Sequence, residues 1–254
     1  MRLSLLKRID DWLAPASAAR RVERLKALPF AHRGLHGSGR PENSRSAFRA
    51  AIDAGHGIEL DVRISRDGHA IVFHDGDLNR LTGERGPLAE RTASELAAIP
   101  LAGGAGETIP DLPDVLALIG GRVPLLIELK APDARVAALC LSVFRALDGY
   151  RGPVGVMSFN PEVGRWFARH GPRVTRGLVV TEAGRRRRGL LKRRLALYRA
   201  RPDFLAYDVR DLPSRFAARA RARGLPVFTW TCRSREDQAR ANAHADQIIH
   251  ELAP

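Results

Sequence analysis

The chain has 254 residues, of which 44% are hydrophobic, so it can bury a large core, and its length suits an α/β barrel. Its two cysteines, Cys140 and Cys232, lack CxxC spacing, which argues against a disulfide framework and a thiolate zinc site and favours a reducing compartment. Charge interrupts the N-terminus too early for a signal peptide, and no stretch approaches the roughly 18 apolar residues of a membrane span, so we expect a cytoplasmic protein, soluble or membrane-peripheral.

The first predicted element is an amphipathic, basic helical extension over residues 1–26, ahead of a catalytic domain over residues 27–254. Within the extension an apolar face with helical spacing is flanked by basic residues. Its members are Leu5, Leu6, Ile9, Trp12 and Leu13. Such a helix either plugs the bottom of a barrel or lies on a membrane surface, and the sequence leaves both alternatives open.

From residue 30 onward, short β-type runs alternate with helical stretches. The predicted parallel strands are Phe30–Arg33, Ile58–Val62, Pro124–Leu129, Val154–Phe159, Thr175–Val180, Phe204–Asp208, Val227–Thr231 and Gln247–Ile249. A ninth run, Ile71–His74, is joined to the second strand by a hairpin-turn signal at Arg66-Asp67-Gly68. Eight strands that alternate with helices predict a (β/α)8 TIM barrel with a small hairpin insertion after the second strand.

Capping residues mark where the helices between these strands begin. Side chains of this type accept hydrogen bonds from the first free N–H groups of a helix. The signals are Ser44 before Arg45–Ala54, Asn160-Pro161 before Glu162–Arg169, and Asp211 before Leu212–Arg223.

Charged and titratable residues lie at the ends of the first three parallel strands, where the chemistry of such barrels takes place. His32 and Arg33 end the first strand, Glu59 and Asp61 the second, and Glu128 and Lys130 the third, while His74 ends the hairpin run. Residues two apart share one face of a strand, and burying such charged pairs is costly unless a metal or a counter-charge compensates. Two imidazoles, three carboxylates and two cations predict metal-assisted cleavage of a phosphodiester.

Two alternatives remain open for individual residues. Glu128 and Lys130 could serve only as an internal ion pair. Glu42 and Asn43 could serve only to cap the following helix and to orient Arg33.

Several short motifs occur in the same order along the chain from about residue 29. They are His32-Arg33-Gly34, Pro41-Glu42-Asn43-Ser44, Glu59-Leu60-Asp61-Val62, Asp67-Gly68, His74-Asp75, Arg80-Leu81-Thr82-Gly83, Glu128-Leu129-Lys130 and Phe228-Thr229-Trp230-Thr231. Together they resemble the glycerophosphodiester phosphodiesterase family, most specifically over the first hundred residues of the match. The resemblance implies a (β/α)8 barrel and release of an alcohol and sn-glycerol 3-phosphate from glycerophosphodiesters.

The resemblance also implies roles for individual residues. His32 and His74 would be the acid–base pair, and Glu59, Asp61 and Glu128 would bind one divalent cation, Mg²⁺ or Ca²⁺. Arg33 and Lys130 would contact the phosphate, with Glu42 and Asn43 supporting the site. Apart from the resemblance, the positions of Phe159 and Trp230 at the ends of later strands leave two alternatives open: packing, or a wall of the substrate pocket. The alternative is a phospholipase-type enzyme that acts on lysophospholipids at a membrane surface.

The net charge of +14 is concentrated in two segments. Residues 182–201 carry nine Arg or Lys against one Glu, and residues 1–26 carry seven basic residues against three acidic ones. Basic residues near a membrane attract anionic lipid, so peripheral membrane contact through both segments is one hypothesis and arginine-rich solvated faces are another. We expect no nucleic-acid partner, because aromatic residues for base stacking are not interleaved with Arg185–Arg188 or Lys192–Arg194.

Overall fold

The structure is a computed structural model that describes residues 19–37, 39–131, 133–182 and 187–251. The described strands are β1 (Phe30–His32), β2 (Gly57–Ile64), β3 (Ala70–Val72), β4 (Leu125–Leu129), β5 (Val154–Ser158), β6 (Thr175–Val180), β7 (Phe204–Asp208), β8 (Val227–Cys232) and β9 (Gln247–His250). The described α-helices are α1 (Ala19–Leu25), α2 (Arg45–Asp53), α3 (Ala93–Ala97), α4 (Leu112–Ile119), α5 (Val136–Ala146), α6 (Pro161–His170), α7 (Arg187–Ala200), α8 (Arg215–Ala222) and α9 (Arg235–His244).

The chain divides into two compact units. The first unit is Phe30–Val154, and the second combines the described residues up to Pro29 with those from Gly155 onward. Within the first unit, β2 pairs in parallel with β1 and β4 and antiparallel with β3; within the second, β5 to β9 pair in parallel in chain order. Eight parallel strands alternating with helices are therefore described. The fold class is the predicted (β/α)8 TIM barrel, with β3 as the hairpin insertion.

Strand β2 lies between β1 and β4 in the first unit, and these three strands position most of the candidate site residues. Its sequence alternates aliphatic and charged residues, yet all of its residues except Arg63 are buried. The register sets His32 of β1 opposite Glu59, and Glu128 of β4 opposite Asp61. Parallel pairing thus brings together polar side chains that are distant in sequence.

Helix α2 begins where its capping residue predicts. The Ser44 hydroxyl accepts a hydrogen bond from the Ala47 N–H at 3.2 Å. Gly34 precedes the helix with a φ of +79°, and a Cβ at that position would lie 2.8 Å from the Ala47 backbone. The turn after β1 therefore lies directly against α2, which fixes the segment that carries Arg33.

The predicted start of the helix after β7 is wrong. The prediction placed the cap at Asp211 and the helix over Leu212–Arg223, but α8 begins at Arg215 and Ser214 is its cap. Pro213 disfavours helical backbone at the residue before it, and Leu212 is accordingly extended. The cap at Asn160 is confirmed, because its side chain accepts from the Glu162 N–H at 3.0 Å.

The predicted amphipathic stretch Leu5–Leu13 lies outside the described residues, so the division into 1–26 and 27–254 stays a prediction. At the end of that segment, Val22 and Leu25 of α1 are buried and the Lys26 carbonyl accepts from the Gln247 side chain at 2.8 Å. Among the described helices, none has the length and apolar character that crossing a bilayer requires.

Candidate active site and metal centre

Three buried carboxylates meet in the first unit. Glu59 and Asp61 are each 1% exposed on β2, and Glu128 is 7% exposed on β4. One carboxylate oxygen from each lies within 4.8 Å of the others. The two-residue spacing on β2 places Glu59 and Asp61 on one face, as the sequence predicts, and the β2–β4 register adds Glu128.

The three carboxyl groups titrate differently because their neighbours differ. Burial raises the pKa of Glu59 well above its ordinary value, and the charges of Asp61 and Glu128 raise it further. Burial also raises the pKa of Glu128. At Asp61 burial acts in the same direction, but Lys130 and Arg33 outweigh it and bring the pKa to about 2. Glu59 and Glu128 therefore hold a proton more readily than Asp61 does.

Two cations border this carboxylate cluster. The Lys130 Nζ lies 2.6 Å from Glu128 Oε1 and 3.0 Å from Asp61 Oδ1. The Arg33 Nε lies 3.2 Å from Asp61 Oδ2, and the Arg33 backbone N–H donates to Glu59 Oε2 at 3.1 Å. Although burial acts to lower both pKa values, the carboxylates raise them. The internal ion pair between Glu128 and Lys130 thus exists, but Lys130 also contacts Asp61.

Arg33 has a backbone φ of 58°, in the left-handed region that non-glycine residues rarely occupy. Its N–H points at Glu59 while its guanidinium contacts Glu42, with Arg33 Nη1 donating to Glu42 Oε1 at 2.7 Å. Strain of this kind persists only where the surrounding contacts fix the residue.

Both histidines lie beside acidic groups. His32 is buried, and its Nε2 lies 3.9 Å from Glu59 Oε2. His74 is partly exposed, and its Nδ1 shares a 2.7 Å hydrogen bond with Asp75 Oδ1. Burial lowers the pKa of His74, although Asp61 and Asp75 act to raise it. The hydrogen bond to Asp75 orients the ring.

Asp75 and Arg80 belong to a network that extends from His74 to Arg33. Arg80 Nε donates to Asp75 Oδ2 at 2.6 Å, and its two terminal nitrogens donate to Glu42 at 2.7 and 2.9 Å. Glu42 in turn accepts from Arg33. Asp75 and Arg80 both occur in the sequence motifs, but the motifs assign them no role. The folded chain shows that Arg80 links the segment that carries His74 to the segment that carries Arg33.

Asn43 supports the cluster and does not cap α2. Its Nδ2 donates to Asp61 Oδ2 at 3.0 Å, and its Oδ1 accepts from the Asp61 backbone N–H at 3.2 Å. The cap is Ser44. The sequence left the roles of Glu42 and Asn43 open. In the structure Glu42 orients Arg33, as one alternative held, whereas Asn43 holds Asp61.

Phe159 and Trp230 belong to the second unit, where their rings meet edge to face with centroids 5.6 Å apart. Trp230 Nε1 donates to the Ala206 carbonyl at 3.0 Å, which fixes the indole, while Phe159 is exposed. Their part in substrate contact stays a prediction.

The first unit offers donors that suit a hard divalent cation. Carboxylate oxygens are the ligands that Mg²⁺ and Ca²⁺ prefer. Glu59 Oε1 is buried without a hydrogen-bond partner in the described part of the chain. The unpartnered buried oxygen and the three converging carboxylates both fit a bound cation.

Comparison with known proteins agrees with this chemistry. The sequence profile of the Glycerophosphoryl diester phosphodiesterase family matches residues 32–249. A glycerophosphodiester phosphodiesterase of Caldanaerobacter subterraneus is 30% identical over 236 residues, which cover 89% of this chain and 94% of the relative.

Solved structures show the same fold. A phosphodiesterase of Oleispira antarctica, in complex with the product sn-glycerol-3-phosphate, superposes with a TM-score of 0.77 at 24% identity, covering 88% of this chain and 93% of that one. A glycerophosphodiester phosphodiesterase of Thermotoga maritima gives a TM-score of 0.71 at 26% identity, covering 88% and 94%.

Proposed function

The chain belongs to the glycerophosphoryl diester phosphodiesterase family and is a phosphoric diester hydrolase, and from this we propose that the carboxylate cluster of the first unit is its active centre. The observation that carries the proposal is the group around Asp61: two further buried carboxylates, two cations and, through electrostatic contact, both histidines. We propose that the products are an alcohol and sn-glycerol 3-phosphate, the product bound to the Oleispira antarctica protein.

Glu59, Asp61 and Glu128 would hold one divalent cation, Mg²⁺ or Ca²⁺. When bound, the cation supplies Lewis-acid stabilisation of the charge that builds on the phosphate oxygens. Asn43 keeps Asp61 in position through its two hydrogen bonds, as outer partners of metal ligands commonly do.

Arg33 and Lys130 would bind the phosphate of the substrate. Both are held beside the carboxylates, so their charges are fixed before substrate arrives and need no reorganisation during the reaction. Arginine offers a planar, two-pronged donor and lysine a point charge, which together suit a tetrahedral anion.

His32 and His74 would transfer the protons. One imidazole accepts the proton of the glycerol hydroxyl next to the ester, and that oxygen attacks phosphorus and forms a cyclic phosphate. The other imidazole donates a proton to the departing alkoxide, and water then opens the ring with the proton transfers reversed.

Asp75, Arg80 and Glu42 would act as positioning residues. Asp75 orients His74, Glu42 orients Arg33, and Arg80 binds both carboxylates. The imidazole and the guanidinium are thereby kept at a fixed separation, which matters because a misplacement of about 1 Å can cost about 10²-fold in rate.

A substrate panel tests the proposal. We expect glycerol 3-phosphate to appear when the protein is given glycerophosphocholine, glycerophosphoethanolamine or glycerophosphoglycerol with Mg²⁺ or Ca²⁺, and not when it is given lysophospholipids. The comparisons lend no support to the lysophospholipid alternative, and preferential release of lipid product from lysophospholipids would establish that alternative instead. Loss of selectivity among head groups in Phe159→Ala and Trp230→Ala would place these rings in the pocket.

A further inference from the structure

One helix face of the second unit exposes large apolar side chains. Leu191, Leu195 and Tyr198 of α7 are 73%, 53% and 51% exposed. Their spacing of four and three residues places them on one side of the helix. A contiguous exposed apolar surface of this kind marks an interaction site more often than a single exposed leucine does.

Basic residues surround this apolar stripe. Lys192 and Arg194 are exposed beside it on α7, and Arg165 and Arg169 are exposed on the neighbouring helix α6. A groove of about 450 Å³ runs along the two helices and is lined by Arg165, Ala168, Arg169, Leu195, Tyr198, Arg199 and Arg201. We call these exposed and groove-lining residues the α6–α7 face.

The inward side of α7 packs against the rest of the second unit. Arg193 pairs with Glu182 at 3.4 Å and lies 5.4 Å above the Phe216 ring, while Ala196 and Leu197 pack against the core of the unit. On the outer side, Glu162 pairs with both Arg165 and Arg199, at 3.3 and 2.6 Å. One carboxylate shared between two guanidinium groups leaves the face with a positive charge.

The two helices form a fixed platform. A Cβ on Gly164 of α6 would lie 2.6 Å from the Ala200 carbonyl oxygen of α7, so the helix backbones touch at this point. The arginines of α6 and the apolar stripe of α7 are therefore presented together and need no rearrangement to bind a partner.

We propose that the α6–α7 face docks the protein on an anionic lipid surface. The apolar stripe would enter the interfacial region while the surrounding arginines and lysine contact lipid phosphates, which is how basic amphipathic helices bind membranes. The proposal concerns where the enzyme binds and does not depend on the proposed catalytic residues.

Charge and composition disfavour the other occupants. A second copy would bring an equally basic face, and residues 1–26 carry a net positive charge, so both would be repelled. Single-stranded nucleic acid needs several aromatic rings for successive bases, whereas among the residues that the structure describes only Tyr198 is an aromatic lining this groove.

Vesicle co-sedimentation of the full chain tests the proposal. We expect binding to vesicles of equal parts phosphatidylglycerol and phosphatidylcholine, little binding to phosphatidylcholine alone, and weaker binding as salt is raised. The double variant Arg165→Gln with Arg169→Gln should bind vesicles about 25-fold more weakly, because the loss of each positive charge should weaken binding about fivefold. Leu191→Ser with Leu195→Ser should weaken it about tenfold or more, because the apolar stripe no longer inserts.

Matched variants in the first unit serve as controls. Arg49→Gln with Arg85→Gln removes two exposed charges, and Leu141→Ser removes an exposed leucine. Each control should bind vesicles like the unmodified protein, and all variants should keep their turnover of a soluble glycerophosphodiester, which shows that they are folded. Equal binding by the face variants and the unmodified protein would overturn the proposal. So would equal binding to phosphatidylcholine alone, preferential binding of a single-stranded oligonucleotide, or self-association that the leucine variants abolish.

Discussion

The carboxylate cluster of the first unit and the α6–α7 face of the second both concentrate charge, but they do so under opposite conditions. In the cluster, Glu59 and Asp61 are buried, and Asp61 lies within about 4 Å of both Arg33 and Lys130. On the α6–α7 face, arginines and a lysine outnumber the single carboxylate of Glu162 around the exposed leucines. Buried charges constrain one another and fix a geometry, whereas an exposed excess of positive charge leaves a surface that can meet an anionic partner.

The largest effects should come from the histidines beside the cluster. His32→Ala or His74→Ala should lower kcat by about 10²–10⁴-fold, because each removes a proton-transfer partner. His69→Ala is the matched control, since His69 is exposed and lies on the hairpin of the same unit. Steady-state turnover of glycerophosphocholine measures the effect, and full activity in either catalytic variant would contradict the assignment.

Removal of the cation should inactivate the enzyme and also lower its stability. Burial and like charges raise the pKa of Glu59 above the ordinary glutamate value of 4.5. As pH rises above 4.5, the carboxyl loses its proton more readily in the unfolded state than in the folded state. The folded state therefore loses stability unless a bound cation compensates the charge. In the unmodified protein a divalent cation should stabilise the fold by about 2.7 kcal/mol at a free concentration of about 100 times Kd.

Glu59→Gln isolates this effect. The variant should have a higher Tm than the unmodified protein when both are metal-free at neutral pH, and its Tm should respond less to Mg²⁺ or Ca²⁺. Thermal unfolding with and without chelator measures both, and Glu90→Gln, at an exposed position, is the control. An unchanged response to cation would remove Glu59 from the metal centre.

A smaller effect is expected at Arg80, which joins Asp75 to Glu42. Charged hydrogen bonds contribute about 1.5–3 kcal/mol, and since the Arg80 side chain is 48% exposed we expect the lower end. Arg80→Gln should therefore lower kcat/KM about tenfold, with Arg80→Lys restoring part of it. Arg91→Gln breaks the exposed pair with Glu84 and should leave the kinetics unchanged.

Asp75→Asn should shift the pH profile without a large loss at the optimum. The Asp75 carboxylate stabilises the charged imidazole of His74, so its removal lowers the pKa of His74. One limb of the profile of kcat/KM should move to lower pH. Movement of the acid limb identifies His74 as the base, and movement of the alkaline limb identifies it as the acid; a profile that does not move would contradict the role of Asp75.

The smallest effects should occur on the α6–α7 face. Leu191→Ser with Leu195→Ser should change the free energy of unfolding by no more than about 0.5 kcal/mol per substitution, because exposed side chains contribute little to the core. Chemical denaturation measures this, and a much larger loss would mean that the stripe is covered by another part of the protein.

Local sequence signals determined much of the first unit. The Glu59–Asp61 spacing predicts a shared strand face, Ser44 predicts the start of α2, and the turn at Gly68 predicts the hairpin, each because the pattern depends on residues a few positions apart. The alternation of strands and helices predicts the barrel class for the same reason.

Tertiary structure decided what depends on residues far apart in sequence. The β2–β4 register places Glu128 beside Asp61, and Arg80 reaches Glu42 across 38 residues, neither of which a local pattern encodes. Within the basic segment 182–201, packing alone separates the inward Arg193 from the exposed Arg194. A sequence specifies which charges a segment carries, but their burial and partners follow from how distant elements pack.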